Sequence, residues 1–362
     1  MSVIYHVDVN SAFLSWEAAY RIHHLGARLD LRTIPAVVGG DQEKRHGIIL
    51  AKSIPCKQYG IQTGEPVVDA KRKCPNLVVV PPNYELYNKS SKAFISILKR
   101  YTDKVEQYSI DEAFLDMTGY TDTPEKTAME LKDTIKRELG FTVNVGVSEN
   151  KLLAKMASEL RKPDMVHTIW RHEIPEKMWP LPVSELYMAG KSSVETLKKL
   201  EIRTIGDLAQ TDPKILELHL KSHGRTLWEF ANGKGDEVVS NEPEEAKGIG
   251  NSTTLSKDLV SREEAGKVYL MLAESVGKRL RKASQKAGMI SAEIRYHTFE
   301  NVSHQKQLQK HTNNDIDIYH AAMELFDELW DGRPIRLLGI RSSKLVSEDE
   351  PEQMSLFDMT FS

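Results

Sequence analysis

Three carboxylates fall where short apolar strands end. Asp8 closes the run Val3 to Val7, and Asp111 and Glu112 stand side by side between the strand-like runs Val105 to Ile110 and Ala113 to Met117. Neighbouring side chains on a regular strand face opposite ways, but a turn swings both toward one place and toward the end of an adjacent strand. Carboxylates that close repel one another unless cations neutralise them. Two Mg²⁺ ions held by shared carboxylates are the usual solution in phosphoryl and nucleotidyl transfer. By spacing alone, a pair of solvated turn acids is the more ordinary reading.

The elements that must position these acids mix strands and helices. Apolar spacing predicts a helix from Ser11 to Leu25, a strand from Thr142 to Val147, and a helix from Asn150 to Leu160 stopped by Pro163. Residues 180–235 read differently, as short helical pieces at Val194 to Leu200 and Ile205 to Ala209 separated by tight turns containing Gly190, Gly206 and Gly224. The acidic stretch Asp236 to Ala246 has little hydrophobic periodicity and reads as an interdomain linker. Beyond it the order is βαββαβ: a strand at Ser252 to Leu259, a helix at Arg262 to Ala283, strands near Met289 to Thr298 and Ser303 to Lys310, a helix at Asp315 to Trp330 and a strand at Ile335 to Lys344. Such a unit puts both helices on one face of a four-stranded antiparallel sheet and leaves the other face free. An acidic tail follows from Val346. The fold class is therefore α+β and multidomain.

Composition bounds the remaining choices. At 362 residues the chain suggests two to three domains, and 40% hydrophobic with 28% charged residues excludes wholesale disorder. No run reaches the roughly 18 to 20 apolar residues of a membrane span, and Met1 to Asp8 reads as a strand rather than a signal peptide, so a cytoplasmic location is expected. Cys56 and Cys74 are too few for a disulfide framework and read as reduced structural thiols. Net charge is −3, but 236–246 and 345–362 each carry −5, which leaves the rest at +7. Residues 247–344 hold 16 Lys plus Arg against 12 Asp plus Glu, an excess that suits a nucleic-acid surface and that chance also produces.

The exact strings say more than the spacing. HVDVNSAF at His6 to Phe13 and YSIDEAFLD at Tyr108 to Asp116 resemble the two acidic motifs of the Y-family translesion DNA polymerases, and the resemblance runs over nearly the whole chain. It looks closest to the bacterial polymerase IV and V group, with NYELY at Asn83 to Tyr87 similar to the latter. The resemblance implies a right-hand polymerase: a palm at 1–10 and 83–172, fingers at 11–82, a helix-hairpin-helix thumb at 173–235, the linker at 236–246, a little finger at 247–344 and a clamp-binding tail at 345–362. It also implies that Asp8, Asp111, Glu112 and the Val9 carbonyl hold two Mg²⁺ ions, with Phe13 as a steric gate that packs under the sugar and excludes a 2′-hydroxyl.

For the triphosphate the resemblance implies Lys57 and Lys162. Here the chain departs from the family: many relatives have Tyr and then Arg where Ile54 and Lys57 stand, so the guanidinium fork is absent. Ala189-Gly190-Lys191 would form the thumb hairpin, with Gly190 and Lys191 on a DNA phosphate and Met188 where such hairpins commonly carry their first Gly. Arg295, Arg336 and Arg341 are candidates for DNA contacts on the free sheet face, and Gln353, Leu356 and Phe357 in QMSLF resemble the bacterial sliding-clamp peptide.

The implied activity is template-directed DNA synthesis, distributive and of low fidelity, by a monomer that takes primed template DNA, deoxynucleoside triphosphates and the clamp as partners. No segment has the length or acid pattern of a proofreading exonuclease. A rival of another class is a DNA- and clamp-binding accessory protein without catalysis. Loss of one metal acid would favour that rival, and all three are present. A nucleotide cyclase on a similar palm is remoter, since the hairpin and the tail disfavour it.

Overall fold

The computed structural model describes residues 2–40, 47–242 and 246–349, which form two compact units that divide within the acidic stretch. The first unit opens with Ile4–Val9 (β1), buried along its whole length because it is the middle strand of a five-stranded sheet. Ala12–Leu25 (α1) follows directly. Ala36–Gly39 (β2), Ile49–Lys52 (β3), a 3-10 turn at Ile54–Tyr59, Val67–Lys73 (α2) and Val78–Val80 (β4) build a separate three-stranded sheet in the order β3-β2-β4. This small sheet has its own core of Val37, Ile49, Ile61, Val67 and Leu77 with both cysteines, which are buried and free.

Tyr84–Leu98 (α3), Val105–Gln107 (β5), Glu112–Asp116 (β6), Pro124–Leu139 (α4), Val143–Ser148 (β7), Lys151–Glu159 (α5) and Val166–Thr168 (β8) complete the five-stranded sheet, ordered β5-β6-β1-β7-β8. Strand period 2 gives this sheet two chemically different faces. Tyr5, Val7, Val9, Leu115, Val143 and Val145 point into a core shared with Leu14 and Trp16 of α1, Phe94 of α3 and Leu131 of α4. The expected boundary at residue 11 is thus not a packing boundary, because α1 belongs to the core of the five-stranded sheet.

The opposite face carries His6, Asp8, Glu112, Asn144 and Gly146, all in register, and α5 lies across it. Gly146 sets how close α5 can come: a Cβ there would stand 1.9 Å from the Ala154 carbonyl oxygen and 2.5 Å from the Ser158 nitrogen. Only a residue without a side chain permits that approach.

The segment after β8 is helical: Lys191–Lys199 (α6), Ile205–Gln210 (α7), Pro213–Leu220 (α8) and Ser222–Ala231 (α9), around Leu197, Leu208, Leu216 and Leu227. Gly206 and Gly224, expected in turns, lie inside α7 and α9. Gly224 is a packing glycine, since a Cβ there would meet the Leu216 carbonyl oxygen at 2.3 Å where α8 and α9 pack together. The stretch from Asp236 is not a free linker in its first half. Asn241 Oδ1 accepts from the Val105 nitrogen at 2.8 Å, Glu106 Oε2 accepts from the Ser240 nitrogen at 2.8 Å, and Asp236 Oδ2 pairs with Lys151 Nζ at 3.1 Å. Polar side chains there engage β5, which would otherwise be an open sheet edge.

In the second unit, Gly248–Leu259 (β9), Arg262–Lys282 (α10), Gln285–Tyr296 (β10), Asn301–Thr312 (β11), Asp315–Leu329 (α11) and Ile335–Ser347 (β12) follow in the βαββαβ order read from the sequence. The sheet is antiparallel throughout, ordered β11-β10-β12-β9. Ile290, Ala292, Ile294, Leu338 and Ile340 pack against Leu272, Val276, Ala322 and Phe326 of the two helices, so the other face carries no helix.

Replacing Gly146 by alanine pushes α5 off the sheet, and by the usual size of such overpacking it should cost about 2 to 3 kcal/mol. The expected readout is a lower urea midpoint with an unchanged m-value.

Candidate active site

The register of β1 and β6 sets Asp8 directly opposite Glu112. Antiparallel partners share a face, so both carboxylates point to the α5 side at the end of the sheet. The strand expected to run to Ile110 stops at Gln107, because Tyr108 and Ser109 both turn back to donate their N–H groups to the Glu112 carbonyl. This turn brings Asp111 to the tip of β1, where its carbonyl accepts the Val9 N–H at 3.0 Å. Its carboxylate is drawn sideways: Ser109 Oγ donates to Asp111 Oδ1 at 2.7 Å.

Helix α5 and the turn after it bring cations to these acids. Lys155 Nζ lies 2.6 Å from Glu112 Oε2, and Lys162 Nζ lies 3.2 Å from Asp8 Oδ1 and 2.7 Å from Glu159 Oε1. His6, two residues before Asp8 on the same face, approaches Glu112 Oε2 through Nε2 at 3.3 Å and Ser158 Oγ through Nδ1 at 2.8 Å. His6 and Lys155 thus take the same oxygen, leaving Glu112 Oε1 without a hydrogen bond among the described residues. The Lys155 ammonium also faces the rings of Tyr108 and Tyr187, at 5.3 and 5.7 Å, and the two tyrosine hydroxyls bond to each other.

The electrostatics of the two opposed acids diverge. Burial pushes the Asp8 carboxyl up to about 7; Lys162 pulls it down, while Glu159 and Glu112 push it further up. Burial acts on Glu112 too, but the contacts from His6 and Lys155 outweigh it and hold that carboxyl at about 2. Burial depresses the His6 imidazole to about 4, so it is neutral near pH 7. Burial also works against the Lys162 ammonium, yet Asp8 and Glu159 hold its proton more firmly than usual.

The donor set suits a hard divalent cation: carboxylate oxygens and a strand-end carbonyl, with no thiolate and no imidazole free to ligate. Among the described residues no three His, Cys, Asp or Glu side chains already form a metal cage. The reason is visible in the contacts, since each acid is engaged by a protein donor: Asp8 by Lys162, Glu112 by Lys155, Asp111 by Ser109.

A cavity of about 1430 Å³ opens beside Asp8, with Ser11, Leu14, Ile54, Lys57 and Lys162 in its wall. Both sequence-chosen lysines therefore reach one space. Lys57 sits exposed in the 3-10 turn. The nearby Lys52 is committed elsewhere, with its ammonium donating to the Ile61 carbonyl. Phe13 does not line the cavity but lies between Ser11 and Leu14, which do. It is half-buried, with its ring flat against Tyr87 at 4.5 Å.

At the hairpin, Gly190 caps α6 with an ordinary φ of −68° and open space around it, and Lys191 opens the helix exposed. Met188 takes the left-handed conformation, φ 66°, at the position where a Gly is usual. The element before the hairpin is only a 3-10 turn, Val183–Glu185, not a full helix. In the second unit Arg295 and Arg341 share the helix-free face, because they pair across with Leu337 and Ser291 while the alternate residues are buried. Arg336 does not join them. It falls in the irregularity between the Ile335 and Leu337 pairings, and its guanidinium covers the Phe299 ring at 4.7 Å. Gln353, Leu356 and Phe357 lie outside the described residues.

Sequence reasoning missed the groups that hold the acids. His6 could have been found from strand period 2 with Asp8; Lys155 lies inside the expected helix, but Lys162 lies past its end, so no helical spacing ties the two together. Asn10 and Asn144 carried no such signal. Asn144 is fully buried and donates to the Ser158 and Arg161 carbonyls at 2.9 and 2.7 Å, while its Oδ1 accepts from Asn10 Nδ2 at 3.1 Å, which seats the turn bearing Lys162.

Residues 7–159 match the model of the impB/mucB/samB family, and residues 246–356 match the model of that family's C-terminal domain. A protein named DNA polymerase IV from Clostridium acetobutylicum is 49% identical over 98% of this chain and 90% of its own length. DNA polymerase IV of Acetivibrio thermocellus is 40% identical over 98% of this chain and 89% of its own length, and DNA polymerase IV 1 of Bacillus subtilis is 38% identical over 98% and 85%. A solved Y-family DNA polymerase chimera of Dbh and Dpo4 superposes with a TM-score of 0.83 at 22% identity, covering 95% of this chain and 99% of the chimera, which shows the shared fold. The polymerase V cue in NYELY is not followed by these relatives, all of which carry the polymerase IV name. On matched domains and whole-length identity, the chain belongs to the impB/mucB/samB family, beside the bacterial DNA polymerases IV.

Proposed function

We infer that the chain is a DNA-directed DNA polymerase of the Y family that carries out translesion synthesis in damage tolerance. The observation that carries this reading is the placement of Asp8 opposite Glu112, with Asp111 at the strand tip, beside a lysine-lined cavity large enough for a nucleotide. Family membership adds metal dependence in general; two Mg²⁺ ions on Asp8, Asp111, Glu112 and the Val9 carbonyl are our assignment. Bound there, such ions would supply the positive charge that the attacking 3′-oxygen and the leaving pyrophosphate both need. The primer 3′-oxygen bonds to the α-phosphorus as the bond to the bridging oxygen breaks, releasing pyrophosphate. Lys57 and Lys162 meet the triphosphate as point charges, and Phe13 underlies the sugar.

Around this centre we assign the five-stranded sheet as palm, the three-stranded sheet as fingers, the helical segment as thumb and the second unit as little finger. Gly190 and Lys191 would hold primed DNA by its backbone, as would Arg295 and Arg341. Gln353, Leu356 and Phe357 would engage the sliding clamp. A monomer acting in the cytoplasm fits this reading, and no described helix is long and apolar enough to cross a membrane.

Primer extension with deoxynucleotides tests the reading directly. The double substitution Asp111→Ala, Glu112→Ala should abolish extension while primed-DNA affinity stays near wild type; extension that survives would remove these acids from the chemistry. Metal affinity should depend on pH in a defined direction. Since a cation needs ionised Asp8, and that carboxyl is raised to about 7, binding displaces a proton below pH 7 and not above it. Mg²⁺ affinity measured by calorimetry is expected to fall roughly tenfold per unit from pH 7 to 5 and to level off above about pH 8. Glu112, held at about 2, contributes no proton in that window.

A further inference from the structure

The segment NYELY builds the seat of Phe13. Asn83 caps α3, its Oδ1 accepting the Leu86 N–H at 3.1 Å. That cap fixes where the helix begins, and so places Tyr84 and Tyr87, three residues apart, on one face. Both rings meet Phe13. Tyr87 lies parallel beneath it, 9° between planes with centroids 4.5 Å apart, and Tyr84 stands edge-on at 6.1 Å and 84°. Tyr84 and Tyr87 contact each other edge-on at 6.0 Å, and Trp16 of α1 closes the cluster at 6.0 Å from both Phe13 and Tyr87.

Tyr87 is fully buried and Trp16 nearly so, which makes them an unyielding floor, whereas Phe13 keeps part of its surface open. The Tyr87 hydroxyl makes no hydrogen bond to the described protein, so what Tyr87 offers Phe13 is its ring rather than a polar link. We propose that Tyr87, helped by Tyr84, is a specificity-determining positioning residue: its stacked ring holds Phe13 at a fixed height and thereby sets how strictly ribonucleotides are excluded. The inference rests on the reading of Phe13 as the sugar gate. A gate excludes by clash only if it cannot retreat. A phenyl ring able to sink by the thickness lost when Tyr87 is removed would admit a 2′-hydroxyl without touching the metal acids, which lie on the opposite face of the sheet.

The test compares kcat/KM for a ribonucleotide with that for the matching deoxynucleotide in Tyr87→Leu, Tyr87→Phe, Tyr84→Ala and Phe13→Ala, with thermal stability measured alongside. Tyr87→Leu should lower deoxy-over-ribo selectivity about tenfold, the scale of one lost aromatic pair, mainly through a smaller KM for the ribonucleotide. Tyr87→Phe keeps the ring and should keep wild-type selectivity. Tyr84 is 55% exposed, so Tyr84→Ala should fold normally and show a smaller loss in the same direction, which keeps the proposal open to refutation should Tyr87→Leu be unstable. If Phe13→Ala relaxes selectivity while the Tyr87→Leu and Tyr84→Ala proteins match wild type, the gate stands and the proposed support is wrong. Equal effects of Tyr87→Phe and Tyr87→Leu would also overturn it, since stacking would then not be the cause. If Phe13→Ala leaves selectivity unchanged, the gate reading falls and this inference falls with it.

Discussion

Everything at the centre of this protein answers to one electrostatic difficulty: acids crowded at the end of a half-buried sheet. Asp8 and Glu112 are forced opposite each other by antiparallel register, and the turn before β6 adds Asp111 beside them. Burial makes the repulsion more costly, which is why Asp8 holds its proton to about 7. The fold answers with one ammonium group on a helix and another on the turn that follows it. For Lys155 to reach Glu112, α5 must lie almost on the backbone of β7, and Gly146 is the residue that allows it. One glycine in a strand thus decides the distance between Glu112 and its counter-charge.

The two acids are not treated alike. Glu112 has both of its contacts on one oxygen, so its charge is stabilised while its other oxygen stays available. Asp8 shares Lys162 with Glu159 and is only partly compensated. Under the proposed metal assignment, a divalent cation would gain most at Asp8, where protein donors have done least, and would meet at Glu112 a carboxylate already ionised and oriented. The ammonium groups are single charges on flexible stems, and a doubly charged ion would compete with them at short range.

What the sequence made legible was the part governed by periodicity and by local strings. The βαββαβ unit, both its helices, and β1 and β7 came out within a few residues, because apolar alternation and helical spacing are strong there. Asp8, Asp111 and Glu112 were singled out by the two acidic strings rather than by spacing, which by itself fitted solvated turn acids. Gly206 and Gly224 were misread because glycine signals a turn and close helix packing equally well, and only the neighbour distinguishes them: Leu216 in the case of Gly224. The acidic stretch does join the two units, but its charge and lack of periodicity gave no sign that its first half is held against β5. Arg336 could not be separated from Arg295 and Arg341, since the register irregularity that removes it from the free face leaves no trace in local composition.

Phe13, beside the cavity, and Lys57, in its wall, are constrained from different directions. Phe13 is fixed from behind by buried rings, so its place is set by packing. Lys57 stands on an exposed 3-10 turn beside Ile54, which contributes no hydrogen bond from its side chain, and its neighbour Lys52 is tied to the Ile61 and Gln62 oxygens. An ammonium in that setting attracts a triphosphate without dictating its orientation, whereas a guanidinium fork would do both. In the proposed reading, orientation of the nucleotide would come from the other side of the cavity. There Lys162 is seated by the Asn10–Asn144 pair, and Ser11 and Leu14 follow Asp8 on a rigid helix start. The large core lies behind α1 and also takes in Ala36, Val38 and Ala51 of the small sheet, whereas Lys57 projects from an exposed turn.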